Sequence, residues 1–448
     1  MKPNKILIPL IILISALLPY KEIASFCGFY VARADATLYN KASRVILVRD
    51  ENKTVISMMN DYQGNLKEFA IVVPVPVVLQ KDQIHIGDNK VIDHLDAYSA
   101  PRLVEYFDPN PCRRKYYKKY SKNEKGAVPS SPAYSPKKKE KKDLGVKVEA
   151  TYTVGEYDIQ ILSAKYSDGL ETWLNQNGYK IPEGASKALK PYIVSKMKFF
   201  VAKVNLEEHS KNNLTYLRPI QFAFESEKFM LPIRLGMINA KGDQDLLVYV
   251  LTKNGRVETS NYRTVKLPSN LEVPEYVKGE FNDFYLGMFS NQVKKENGKA
   301  VFLEYFWDMS WCDPCAANPL SGKELNSLGV FWVDGNNNTG GAQNVLLTRL
   351  HLRYNGETFP EDLSFTQTND RNNFQGRYII NHPWKGSPNE CREASNYFQK
   401  LNIRQENRAK NLASLTGWDI NDIRKKMNLN NIPNSGDNDT KWWKKIWK

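Results

Sequence analysis

The chain has 448 residues, a formal charge of +14, 42% hydrophobic residues and five cysteines. That length exceeds one ordinary core and predicts about two or three packed units, and the apolar content excludes a chain that is disordered throughout. The charge suggests nucleic acid until it is localised. Residues 113–142 hold twelve Lys or Arg against two Glu, and without this insert and the basic N-terminus about +2 remains, so no basic face and no nucleic-acid partner are expected.

Residues 1–25 read as a secretory signal, with Lys2 and Lys5 ahead of a short apolar run that Pro9 interrupts. The run is too short to span a bilayer comfortably. A cut near Ser25 leaves Phe26 first; an uncleaved anchor ranks second, and lipid attachment at Cys27 third because Phe26 is too bulky for that cleavage site. The expected location is therefore periplasmic, cell-envelope-associated or secreted, where thiols end up paired. With Cys27, Cys112, Cys312, Cys315 and Cys391 the number is odd, so at least one lies outside intramolecular pairing, and spacing does not give the connectivity.

Residues 26–112 form a β-rich unit with short helices. Strands are predicted at 28–33, 44–49, 54–59 and 69–76, and Pro74 and Pro76, two apart, place the end of the last on a sheet edge. Val91, Leu95 and Tyr98 share a helical face, and Pro101 predicts the start of a second short helix reaching 107. His94 stands among Asp93 and Asp96, but neighbouring helix positions diverge, which disfavours a ligand set.

Residues 113–145 are a basic insert poor in aliphatic side chains, first read as a solvated loop. Its tyrosines interleaved with lysines across 113–142 also suit anionic lipid or polysaccharide.

Residues 146–385 read as the main β-rich unit. Val146, Val148, Ala150, Tyr152 and Val154 alternate with polar residues and, after Gly155, Tyr157, Ile159 and Ile161 do the same. This predicts an antiparallel hairpin with one wet face. Helices follow near 168–174 and 185–189, then strands at 199–204, 220–224, 246–251, 256–267, 284–289, 300–307, 330–333, 347–354 and 377–380. His351 shares an outward polar face with Arg349 and Arg353. The expected class is α+β, with a mostly antiparallel, sheet-rich body and a C-terminal helical segment at 386–428. There Cys391, Ala394, Phe398 and Leu401 make a stripe, Gly417 ends one helix and Asp419 starts another.

Residues 429–448 form a linker and a tail. Trp442, Trp443, Ile446 and Trp447 make one helical face and Lys441, Lys444, Lys445 and Lys448 the other. So short a helix does not hold in water; a bilayer surface suits it, and docking of the tryptophans back onto the body is the equal alternative.

One stretch looks like chemistry. Trp311-Cys312-Asp313-Pro314-Cys315 closes an apolar strand and resembles the Trp-Cys-Gly-Pro-Cys of thioredoxin-like oxidoreductases. That resemblance implies Cys312 as the attacking thiolate and Cys315 as the resolving thiol. Its surroundings argue otherwise: Pro319 comes early, Ser321 and Glu324 form a capping box that starts the helix late, the upstream strands read as antiparallel, and Pro360 precedes a poor central strand. A metal completed by His382 or Cys391 is a third use. A structural disulfide ranks first, and no cofactor is implied.

Several long stretches are similar to a bacterial exported family known only as a domain of unknown function. They include Phe26-Cys27-Gly28-Phe29-Tyr30-Val31-Ala32-Arg33-Ala34-Asp35-Ala36, His94 to Phe107, Trp311 to Ala317 and His382-Pro383-Trp384-Lys385-Gly386. The resemblance implies export and one composite fold and carries over no catalytic residue. The expected function is a non-catalytic binding or structural module of the cell envelope, with a thiol–disulfide oxidoreductase as the alternative.

Overall fold

A computed structural model describes residues 29–31, 39–40, 43–59, 62–63, 70–113, 146–177, 185–211, 217–239, 242–311, 313, 318–338 and 340–429. The signal, Cys27, the insert beyond residue 113, Cys312, Cys315 and the tail lie outside the described residues.

Strand-forming runs near both ends of the chain are interleaved in one large mixed sheet. Its order is Arg263–Lys266, Ala300–Asp308, Leu346–Tyr354, Gln244–Thr252, Ser43–Asp50, Lys53–Met59, Ile220–Glu225 and Ile84–Ile86, with Phe374–Gln375 also on Ala300–Asp308. Ser43–Asp50 lies parallel to Gln244–Thr252, with Val48 opposite Leu251. The central strands are buried along almost their whole length. Near-continuous Val, Ile and Leu is what a sheet covered on both faces requires.

The second sheet is antiparallel: Phe29–Val31, Ala70–Val75, Lys198–Val204, Tyr157–Ala164 and Val146–Val154. The expected hairpin is present, Tyr157 opposite Val154. Phe29–Val31 pairs with Ala70–Val72, and Pro74 lies beyond that pairing, opposite Phe199 on the other neighbour. The two sheets close on each other over Leu47, Ile56, Phe222, Val248, Ile159 and Phe200. Behind the second sheet, helices Ser167–Gln176 and Ala185–Val194 place Leu170, Leu174 and Leu189 on Leu162 and Phe199. Behind the main sheet, Asn89–Ser99 and Gly322–Ser327 place Ile92, Leu95 and Leu325 on Ile46, Tyr249 and Leu347. The body is thus α+β, layered helix, sheet, sheet, helix.

Beside it, a small parallel sheet runs Leu271–Glu272, Arg377–His382, Arg102–Phe107. With helices Phe281–Lys295 and Arg392–Thr416 it shares a core of Phe284, Met288, Tyr378, Ala409 and Leu412. Gly417 (φ 74°) ends the long helix, and Asp419 caps Ile420–Lys426 by accepting from Asn421 N at 2.7 Å. Cys112 and Cys391 form a disulfide across 279 residues of sequence. Among the described residues no helix is long and apolar enough to cross a membrane.

Five expectations change. Residues 284–289 are not a strand: Phe284, Met288, Phe289 and Gln292 are the buried stripe of helix Phe281–Lys295, and the dense aromatic run hid that spacing. Residues 101–107 are not a second helix but the strand Arg102–Phe107, drawn into the small sheet by Arg377–His382. The run 256–267 splits into Val257–Thr259 and Arg263–Lys266, because Thr259 turns the chain by donating to Tyr262 O at 2.7 Å. Residues 330–333 are a turn, not a strand. Finally, the strand entering the Cys-x-x-Cys motif lies parallel to Arg263–Lys266 through helix Phe281–Lys295, a βαβ unit where only antiparallel neighbours were expected.

Candidate functional site

Cys312 and Cys315 lie outside the described residues, but their flanks are defined. Upstream, Asp308 accepts from Ser310 N at 3.0 Å and from Arg371 Nη2 at 2.7 Å. Burial pushes its carboxyl up, yet the Ser310 and Arg371 donors outweigh burial and hold it below the usual range. Trp311 is 70% exposed. Between the two cysteines, Asp313 turns inward, accepting from Tyr305 OH at 3.0 Å and Gln375 Nε2 at 2.8 Å. Downstream, Asn318 O meets His94 Nε2 at 2.8 Å, and His94 Nδ1 meets Glu324 Oε1 at 2.7 Å. Glu324 is also the third residue of the capping box on Ser321, so the helix begins at Gly322, well past Cys315, as expected.

The other sequence candidates disperse. Asp93 pairs with Arg44 at 2.7 Å and Asp96 with Arg349 at 2.6 Å, so the two aspartates flanking His94 have separate partners. His382 faces Glu105 at 2.7 Å on one ring nitrogen and Glu275 at 3.2 Å on the other. Cys391 is bonded to Cys112. The Cys391 sulfur and both His382 ring nitrogens thus already have partners. Pro360 precedes Leu363–Gln367, which pairs with Met230–Leu231 and Val257–Thr259 rather than with the strand entering the motif.

The most concentrated titratable cluster is one the sequence misassigned. Arg349, His351 and Arg353 do form one face of Leu346–Tyr354, but that face is covered: Arg349 is 4% and His351 6% exposed. The cover is helix Phe281–Lys295, whose Phe289 ring stacks on His351 at 3.6 Å. Both misreadings share a cause, since a strand at 284–289 leaves nothing to lie over this face. Glu304 is fully buried and sits where the pairing of Ala300–Asp308 with Leu346–Tyr354 shifts register between Leu303 and Tyr305. The bulge leaves Glu304 unpaired in the ladder and turns its side chain toward the helices.

Three donors saturate that carboxylate. Arg349 Nε donates at 2.7 Å, His351 Nδ1 lies at 2.9 Å, and Tyr285 OH donates from the covering helix. Burial alone would push Glu304 up; His351 and Arg349 overcome it and bring the carboxyl to about 2. Burial and the Glu304 charge push the Tyr285 phenol well up. Arg349 also donates to Asp96 Oδ1 at 2.6 Å, and Tyr249 OH donates to the same atom at 2.6 Å. Arg353 grips both oxygens of Asp245 at 2.8 Å. The network therefore fastens two helices to three strands, and its acid–base groups are spent on one another rather than open to a reactant. The sequence signal for it was Glu304 itself, one acid inside Val301-Phe302-Leu303-Glu304-Tyr305-Phe306, which asks for a buried cation.

A family model described as "Uncharacterized protein conserved in bacteria (DUF2330)" matches residues 21–366. No curated protein and no solved structure matches the chain. The matched span holds the Cys-x-x-Cys motif and the Glu304 network and ends before strand Arg377–His382 and the C-terminal helices.

Proposed function

The chain belongs to this uncharacterized bacterial family, DUF2330, and from that premise we propose that it is an exported cell-envelope protein, a non-catalytic binding or structural module braced by disulfide. The observation that carries the proposal is the Cys112–Cys391 bridge. Such bonds persist in oxidising compartments and not in a reducing cytosol. This one joins the turn after Arg102–Phe107 to the start of the C-terminal helix, a place where it braces packing. The saturated Glu304 carboxylate supports a structural reading of the largest buried charge cluster. Anionic lipid or polysaccharide, met through residues 113–142 and through Trp442, Trp443, Trp447, Lys444 and Lys445, is the partner class that composition favours.

Fractionation of the native bacterium with non-reducing peptide mapping tests this. The account expects the chain outside the cytoplasm, starting near Phe26, with the Cys112 and Cys391 peptides linked. A cytoplasmic chain with both sulfurs as free thiols contradicts it.

A thiol–disulfide oxidoreductase is the second reading, favoured by the βαβ unit that leads into the motif. In it, Cys312 thiolate attacks a substrate disulfide, forming a mixed disulfide and releasing one substrate thiolate; Cys315 then attacks the Cys312 sulfur, expelling the second substrate thiolate and leaving a Cys312–Cys315 disulfide while the substrate is reduced to its dithiol. Against it, helix Gly322–Ser327 starts too late to lower the Cys312 thiol through its dipole.

A further inference from the structure

One end of the main sheet exposes aromatic rings, two of them with a lysine over the face. Here Ala300–Asp308 ends beside the start of Leu346–Tyr354, and Met309 and Val345 extend the pairing, Met309 N donating to Val345 O at 2.9 Å. Two residues on, Trp311 is 70% exposed, and its carbonyl accepts from Trp307 Nε1 at 3.2 Å. Next to Val345, Asn344 O accepts from Trp332 Nε1 at 2.9 Å, and the 43%-exposed Phe331 stands edge-on to Trp332 at 5.1 Å. The same end carries the turn after Ser43–Asp50 and the residue after Gln244–Thr252. From these, Lys53 Nζ lies 5.8 Å from the Phe331 centroid and Lys253 Nζ 5.2 Å from that of Trp332. Trp311 and Phe331 are the exposed rings of this sheet end, and Trp307 and Trp332 are half-buried against the core.

The geometry points to this sheet end as a bilayer-contact surface: Trp311 and Phe331 enter the interfacial region, and Lys53 meets anionic headgroups. The inference rests on the envelope reading above. Lysine is what selects the occupant. Protein interfaces enrich aromatics and arginine but deplete lysine, whereas indoles flanked by lysines are the composition of a membrane-water boundary. Arg371 near this end is bound to Asp308 at 2.7 Å. Lys253 is bound to Asp50 at 2.6 Å, so the attraction comes mainly from ring burial and only weakly from charge, unlike that of the insert at 113–142.

Co-sedimentation of the full chain with vesicles of phosphatidylglycerol and phosphatidylcholine tests this. Trp311→Ser with Phe331→Ser is expected to weaken binding about ten-fold or more, and the loss is expected to persist at high salt. Tyr166→Ser, an exposed ring elsewhere, should leave binding unchanged. Deleting 113–142 should remove only a salt-sensitive share. Brominated lipid should quench wild-type tryptophan emission more than that of Trp311→Phe, which keeps the ring and the fold. Equal binding by the double variant, quenching indifferent to Trp311, or retention by an envelope protein in place of vesicles overturns the inference. The envelope reading fails separately, by fractionation.

Discussion

The face of the main sheet under its helices and the end of that same sheet invert the usual distribution of residue types. Along Ala300–Asp308 and Leu346–Tyr354, Glu304, Arg349 and His351 are buried while Trp311, just past the strand, stands in solvent. What separates the two regions is partners. Glu304 meets Arg349, His351 and a hydroxyl donor, Tyr285, from one covering helix, and Arg349 donates to Asp96 on another, so desolvation is offset by hydrogen bonds. At the sheet end Trp311 and Phe331 stay exposed, with no covering helix among the described residues. Burial here follows the covering element more than the polarity of the side chain.

That contrast can be broken at several points. Arg349→Met should have the largest effect, leaving Glu304 buried without its guanidinium and costing about 3–5 kcal/mol in urea unfolding. Trp311→Ser should move the same transition by less than about 0.5 kcal/mol. Acid titration sharpens the point. The folded carboxyl of Glu304, at about 2, lies below its unfolded value, so the unfolded chain takes up the proton first. The stability it contributes is complete above about pH 5 and is lost as pH falls toward 2. Glu304→Gln should lower stability at neutral pH and flatten that stretch of the curve; a parallel curve would remove Glu304 from the account.

The brace comes next. Cys112→Ser with Cys391→Ser should cost about 2–4 kcal/mol, and dithiothreitol should destabilise the wild type alone. Tyr285→Phe removes one of three donors from the carboxylate, for about 1–2 kcal/mol. His94→Gln should be the smallest among the buried or bridging groups, about 1 kcal/mol or less, because His94 and Glu324 are both partly exposed.

Much of the fold was legible wherever the signal is local. The hairpin at Gly155, the capping box at Ser321 and Glu324, the helix stop at Gly417 and the restart at Asp419 depend on residues within a few positions of one another. Several failures involve partners distant in sequence, although the break at Thr259 is local. Phe284 to Phe289 reads as a strand until a helix stripe is sought over twelve residues. Arg102–Phe107 becomes a strand only because Arg377–His382 lies beside it. The row Arg349, His351, Arg353 reads as wet because alternation reports two faces without saying what covers either. Glu304 within an apolar run was the one local clue to the buried network, and its donors come from one strand and one helix that sequence spacing does not connect to it.

The central claim is that sulfur in this DUF2330 protein holds packed layers together and does not exchange disulfides. The pH dependence of Cys312 alkylation, followed by mass spectrometry on the reduced and refolded chain, tests it most directly. The account predicts a rate that rises only near the ordinary cysteine value of about 8.5, with Cys112 and Cys391 re-forming their bridge in air. Rapid alkylation of Cys312 at mildly acidic pH, with Cys315 closing on it once an oxidised substrate is added, would contradict it.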